Sequence, residues 1–278
     1  GGTTADVTAA TQAITDAVTA ATTANADVTD AITDAAEVKN EQTVADALSA
    51  LKTLTDDPTS STSAITAAIA DVTAVVAPAK ADRTTAKNAG EVAKTAATDA
   101  GVADNAEVAQ AIADYNAVVD LANAGSEGGT TADVTAAAAK ITTAINNAKT
   151  ATDGATAAIT NAGEVKNETA VAEALSALQT LTANPNSSTA DINTAITTLN
   201  TAVDAAKPLR EDAKAAGAAV VAQATTDGVA DNAEVAQAIA DYNAVVDLAN
   251  AGSEGGTTAD VTAAAAKITT AINNAKTA

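Results

Sequence analysis

The chain has 278 residues, a formal net charge of −21, two tyrosines, and no cysteine, histidine, tryptophan, phenylalanine or methionine. Those absences remove the histidine relays of hydrolases, the thiolate nucleophile and the usual zinc, haem and iron–sulfur sites, and the charge repels nucleic acid and anionic lipid. Apolar residues are 47% of the chain but aromatics only 1%. A core of alanine and valine therefore has to be built from closely approaching helices, in several thin layers rather than one large globule.

The first predicted element is a long helix with apolar positions Val7, Ile14, Val18, Ala21, Val28, Ile32 and Ala35. Its steps of three and four mark a helix packed lengthwise on neighbours. The spacing puts Asn25 in the stripe as one polar break. A short helix follows over about 41–54 (Val44, Leu48, Leu51, Leu54), with Asn40 as its candidate cap and Pro58 closing the loop behind it. The second long helix carries Ile65, Ile69, Val72, Val76, Ala79, Ala86, Gly90, Ala93 and Ala97, interrupted at Arg83. Pro78 predicts a kink or a restarted turn there. A second short helix, about 105–122, holds Val108, Ile112, Tyr115 and Val119 and starts at Asp104-Asn105-Ala106-Glu107, a capping box with Asp in place of Ser or Thr.

From Gly128 the pattern starts again. Gly1–Thr8 aligns with Gly128–Thr135, and residues 101–151 recur unchanged as 228–278, both at an offset of 127. Repeat 1 is thus 1–127, repeat 2 is 128–254, and 255–278 begins a third. The counterparts are a long helix with Val134, Ala138, Ile141, Ile145, Ala148, Ala155, Ile159 and Ala162, broken at Thr152; a short helix about 168–181 capped by Asn167; a long helix from Ile192 to Ala224 broken at Arg210 near Pro208; and a short helix about 232–249 starting at Asp231–Glu234. Thr130–Asp133 and Thr257–Asp260 offer a capping residue with an acid in the first turn. Each repeat is itself doubled: Val171, Ala174, Leu175, Leu178 and Leu181 match Val235, Ala238, Ile239, Tyr242 and Val245 at an offset of 64.

The expected fold is therefore all-α: an elongated rod of tandem three-helix bundles joined by shared continuous helices. Each unit takes the second half of one long helix, a short helix and the first half of the next long helix. The units are about 23–80, 81–149, 150–207 and 208–278, the last completed by 255–278. The segment about 4–22 is left as an orphan helix without its own unit, expected to be frayed or less well packed than its copy at 131–149. With no run of about 18 apolar residues, no membrane insertion is expected. No secretory leader is visible and the chain opens inside a repeat, so it reads as a piece of a larger protein.

Each polar feature has a structural explanation. Lys80, Arg83, Lys87 and Lys207, Arg210, Lys214 form basic stripes best explained by salt bridges across the unit junctions. Gly90 and Gly217 on the apolar stripe point to close helix approach, and Tyr115 and Tyr242 to core rings whose hydroxyls reach solvent. Asp99, Asp104, Glu107 and Asp227, Asp231, Glu234 lack calcium-loop spacing. Asn167-Glu168-Thr169 and Asn186-Ser187-Ser188 match the glycosylation triplet. The threonines Thr8, Thr11, Thr15, Thr19, Thr22, Thr23 and Thr29 scatter around the first helix, against a flat ice-adsorbing face. No catalytic, cofactor or metal site is assigned.

The segments Val171–Ala206 and Val44–Ala77 resemble FIVAR-type helical modules, with a leucine-rich helix, a loop such as Ala-Asn-Pro-Asn at 183–186, and a helix carrying a pattern like Ala195-Ile196 and Leu199. The segment 228–276 is similar but lacks the proline and has a longer glycine loop. The resemblance implies tandem modules of bacterial cell-surface and biofilm-associated adhesins. The expected function is a non-enzymatic stalk or spacer on the outside of the cell, with neighbouring repeats as its partners and no cofactor, monomeric, projecting a distal binding domain. The alternative is a helical binding module that contacts a host or neighbouring-cell protein.

Overall fold

The computed structural model describes residues 2–277, and within them nine α-helices and no strand. Helices α1 (Thr4–Ala35), α2 (Gln42–Asp56), α3 (Thr62–Asp99) and α4 (Ala106–Asn123) recur as α5 (Thr131–Ala162), α6 (Thr169–Ala183), α7 (Thr189–Thr226) and α8 (Ala233–Asn250). The last helix, α9 (Thr258–Thr277), repeats the start of α5. The chain is all-α, as its alanine content and its three-and-four spacing demand.

Local chemistry sets the helix ends. Thr3 accepts a hydrogen bond from the Asp6 amide while the Asp6 carboxylate accepts one from the Thr3 amide, a full capping box. The same box recurs between Thr130 and Asp133 and between Thr257 and Asp260. Ser61 and Ser188 cap α3 and α7. Gly101, Gly125, Gly128 and their copies hold positive φ in the loops that end α3, α4, α7 and α8. The abundant threonines satisfy their hydroxyls within the helix by donating to the carbonyl four residues back, as at Thr8, Thr11, Thr15 and Thr19.

Two compact units divide the chain, one running to Ala103 with Glu107–Ile145, the other comprising Asp104–Ala106 with Asn146 onward; the boundary falls inside α5. In the first unit, one core joins Val28, Ala31 and Ala35 of α1, Val38 of the following turn, Val44 and Leu51 of α2, and Ala68, Val72 and Val76 of α3. Further along α3, Ala86, Gly90, Ala93 and Ala97 are buried, as are Val108, Ala111, Tyr115 and Ala122 of α4 and Val134 and Ile141 of α5. The second unit has one core from the end of α5, α6 and the first half of α7, centred on Leu178, Leu199 and Val203. Its other core unites the second half of α7, α8 and α9 around Tyr242, Val261 and Ile268. In each unit a 38-residue helix thus serves two cores in succession.

Several expectations need correction. The seam of the long helices passes through buried Ala24 and Ala151, leaving Asn25 and Thr152 exposed. The polar break is therefore absent, because a step of three instead of four keeps the stripe apolar. Ile32 is exposed, and Ala31 takes its place in the core. No turn restarts at Pro78 or Pro208, since α3 and α7 continue through both. Glu41 and Glu168, not Asn40 and Asn167, occupy the N-cap positions of α2 and α6 and make no side-chain cap bond there. At α8 the cap is Asn232, not Asp231. The segment 4–22 does meet its expectation of being less well packed than its copy at 131–149: it is helical from Thr4, but every residue of it lies exposed, whereas the copy is packed. Helix α3 contains one 18-residue window apolar enough, by length and composition, to cross a membrane, so the expectation that no such stretch exists was too strong. That window owes its character to alanine and valine, and it packs Ala68, Val72 and Val76 against α1 and α2.

Candidate functional site

The most elaborate polar arrangement lies midway along α3 and again midway along α7. Arg83 and Arg210 are completely buried. One terminal nitrogen of Arg83 donates to the Glu37 carbonyl, in the turn after α1, and to the Ala122 carbonyl at the end of α4, 2.8 Å away. The other donates to the Asn40 side-chain oxygen at 2.7 Å and to the Glu41 carboxylate. Arg210 repeats this with the Glu164 carbonyl, the Ala249 carbonyl at 2.9 Å and the Glu168 carboxylate at 2.6 Å. The planar fork suits this task because it satisfies several fixed acceptors at once. Its charge also sits at the negative end of the α4 or α8 dipole.

The glutamate carries the arrangement one helix further. The Glu41 Oε1 atom accepts from the Thr131 amide and hydroxyl, both at 2.7 Å, at the first turn of α5. Glu168 does the same for Thr258 of α9. Burial pushes these two carboxyl groups up, but hydrogen bonds from the threonine and the arginine, with the arginine charge, outweigh it and hold both below the usual carboxylate range. Asn40 donates to the Ser126 carbonyl at 2.6 Å, closing the loop after α4 over the site. The copy is less complete, as the side-chain nitrogen of Asn167 has no partner. Nor do the Nε atoms of Arg83 and Arg210.

Lysines frame each arginine. Lys80 pairs with Asp34, and Lys87 with Glu37 at 2.8 Å and with the Asn123 side chain at 2.6 Å. In the second unit Lys207 bonds Asn161, and Lys214 bonds Asn250 and pairs with Glu211. In the first unit the stripe lysines thus pair with acids on a neighbouring segment; in the second only Lys214 does, with Glu164 at 3.6 Å, while Lys207 has a neutral amide, and the arginine at the centre of each stripe is buried rather than solvated. These donors are directed at protein acceptors and leave no open anion cradle.

Beside each joint lies a close helix contact. A Cβ added at Gly90 would sit 2.1 Å from the Tyr115 ring, and one at Gly217 would sit 2.3 Å from the Tyr242 ring. With hydrogen in that place, the ring slides over the α3 or α7 backbone. Its hydroxyl donates to the Lys87 or Lys214 carbonyl at 2.7 Å. The tyrosine hydroxyls therefore end on backbone, not in solvent as expected, and burial pushes both phenols up. Lys94 stands 5.8 Å from the Tyr115 ring centroid, a cation–π contact that the second repeat lacks because Val221 occupies the equivalent position.

Elsewhere the surface offers shallow grooves. One of about 290 Å³ runs between α1 and α3 past Asp27, Asp30 and Asp34. Another, about 670 Å³, lies between α6 and α7 and is walled by alanine and threonine. Among the described residues no three acidic side chains converge into a cation-holding group, and Asp227 is engaged by Lys276 at 2.8 Å. Sequence reading identified the arginines, glycines and tyrosines, but missed Glu41 and Glu168. Their signal was an acid directly before α2 and α6 that no capping pattern needed, where α4 and α8 have an asparagine. Compared with known protein families, curated proteins and solved structures, the chain matches none.

Proposed function

We propose that the chain is a non-enzymatic spacer, a stretch of the stalk of a bacterial surface adhesin. In this reading it is an elongated rod of tandem three-helix bundles on the outside of the cell, holding a distal binding domain away from the surface. The observation that carries the proposal is the arginine joint. Within each unit one helix passes from one core to the next without a linker, and at the crossing a buried guanidinium ties it to the preceding turn and the end of the following helix. Bending at that point would strip buried donors from their acceptors, at a cost of about 1–3 kcal/mol for each group left unsatisfied. A Gly/Ser connector would offer no such resistance.

The rest of the chemistry is consistent with a spacer. A net charge of −21 on 278 residues favours solubility and discourages lateral association, so the working partners are neighbouring repeats of the same chain. Mostly local helical contacts limit misfolding between the identical 51-residue copies. A second reading, a helical module that contacts a host or neighbouring-cell protein, is favoured by one observation, the apolar stripe left open on α1.

Small-angle X-ray scattering of the chain tests the proposal. Four staggered bundles, each adding roughly 27 Å of helix, make a rod of about 110 Å with a radius of gyration near about 30 Å. A compact chain of this length would have about 19 Å. A radius of gyration close to the compact value would refute the spacer.

A further inference from the structure

We propose that the first half of α1 is a docking face for a second helix pair of the repeat's own kind, a pair with the character of residues 83–122, supplied by another repeat. The inference rests on the repeat identity and not on the spacer reading; a compact scattering profile would remove that reading and leave this one standing.

Along 4–22 the apolar stripe is complete and open. Val7, Ile14 and Val18 are 62%, 65% and 60% exposed, while their copies Val261, Ile268 and Ile272 in α9 are 0%, 0% and 5% exposed. The six α9 residues buried against α7 and α8 are Val261, Ala264, Ala265, Ile268, Ala271 and Ile272. At the matching places α1 has Val7, Ala10, Thr11, Ile14, Ala17 and Val18, so only one of the six has turned polar. A helix that faced water throughout would have no reason to hold this stripe in register.

A second feature identifies the occupant. At Gly256 an added Cβ would meet the Ala249 backbone nitrogen at 2.3 Å, and at Gly129 it would meet that of Ala122 at 2.2 Å. In both copies glycine is needed because the loop lies directly on the end of the preceding short helix. Gly2 holds the same position ahead of α1, yet a Cβ there would meet nothing nearer than Asp6, 3.9 Å away. The glycine is a footprint of a helix that would lie where α4 and α8 lie. Thr4 also occupies the place of Thr131 and Thr258, whose amides are held by Glu41 and Glu168. The helix pairs of this kind within the chain are already engaged, α7 and α8 by α9, and α4 by the loop that leads into α5. The occupant is therefore a further pair and not the free surface of a second copy.

The test is to place an additional copy of residues 81–127 ahead of Gly1 and compare hydrogen exchange along 4–22, a sequence unique in the chain, with and without the addition. In the original chain, 4–22 is expected to exchange fast at all protein concentrations. In the extended chain its exchange is expected to slow by on the order of 100-fold, toward that of 131–149. The substitution Ile14→Asp is expected to abolish the gain in the extended chain and to change nothing in the original. Unchanged exchange after extension overturns the proposal, whether or not the added helices form, since α1 is the partner they need. Concentration-dependent protection in the original chain also overturns it, by showing that the face pairs with another copy. Protection that survives Ile14→Asp does so too, because it would not run through the stripe.

Discussion

Replacing Gly217 by Ala reverses the sign that helix propensity alone would give. In the interior of an exposed helix this change gains about 1 kcal/mol. Here the new Cβ would sit 2.3 Å from Cε2 of Tyr242 and 2.5 Å from its hydroxyl oxygen. The ring has little room to retreat, as it is only 4% exposed in the core with Val261 and Ile268. Forced repacking costs about 1–3 kcal/mol, and displacing the hydroxyl from the Lys214 carbonyl loses about 1 kcal/mol more. The net expectation is a destabilisation of about 1–3 kcal/mol from these terms. Exchange of α7 amides over 213–227 reads it, since α8 peptides cannot be distinguished from the identical α4 sequence. The Tyr242→Leu background, which installs the residue the sister position carries as Leu178, should restore the ordinary gain of about 1 kcal/mol. Gly154→Ala is the matched control. Its Cβ would meet only the mobile end of Ile196, at 3.3 Å, so that change should stabilise by up to about 1 kcal/mol. A Gly217→Ala chain as stable as the original or more so would refute the close-contact argument.

Arg210→Ala leaves the Glu168 carboxylate without its cation and frees the Glu164 and Ala249 carbonyls in a buried site. Urea unfolding and exchange along α7 should show a loss of about 3–5 kcal/mol, with Arg210→Lys recovering only part because an ammonium cannot span all the acceptors. A loss below about 1 kcal/mol would place the residue among ordinary surface ion pairs. For pH, Glu41 and Glu168 are held below their unfolded values, so their contribution is complete above the ordinary carboxylate range and is lost as pH falls through the depressed folded values. Asp133 and Asp260, lowered by bonds from Thr130 and Thr257, act in the same direction. Thermal stability should therefore fall below about pH 4, and the Glu41→Gln, Glu168→Gln double variant should show a shallower fall. An unchanged slope would mean that the joint carboxylates do not govern acid stability.

The helix list was legible because the spacing and the breakers agree: Pro58, Gly101 and Gly128 fall in loops, and the short helices read at about 41–54 and 105–122 lie within a residue or two of Gln42–Asp56 and Ala106–Asn123. The side of each helix that is buried was harder to read. Where alanine stands on every face, a step from Ala148 to Thr152 and a step to Ala151 look equally plausible, and only packing chooses Ala151. Ile32 misled for the related reason that size suggests burial, while it is Ala31 that faces the core with α2 and α3. The arginine joint was visible as an interruption of the stripe but not as a core residue. A charged side chain is buried only when its partners are brought to it, and those partners come from residues 37, 40, 41 and 122. Nothing in the local sequence announces their convergence.

A core made of small residues also explains why the joints hold such unlikely ones. Alanine and valine fill space without specifying it, since alanine faces can slide by a turn at little energetic cost and many registers would pack comparably. Arginine, glycine and tyrosine remove that freedom. Tyr242 fits only opposite a residue with no Cβ, so it sets α8 against Gly217 of α7. Arg210 reaches the Ala249 carbonyl only if α8 ends at that height, and the Glu164 carbonyl only if the turn after α5 does. Glu168 then fixes the first turn of α9 through Thr258. Register is thereby specified by a few polar and shape contacts near the joint, while the long alanine faces supply area. The same division accounts for where the two repeats differ. Lys94 against Val221, and Asp34 against Asn161, vary on the rim, whereas the arginine, its glutamate, the glycine and the tyrosine stand unchanged in both.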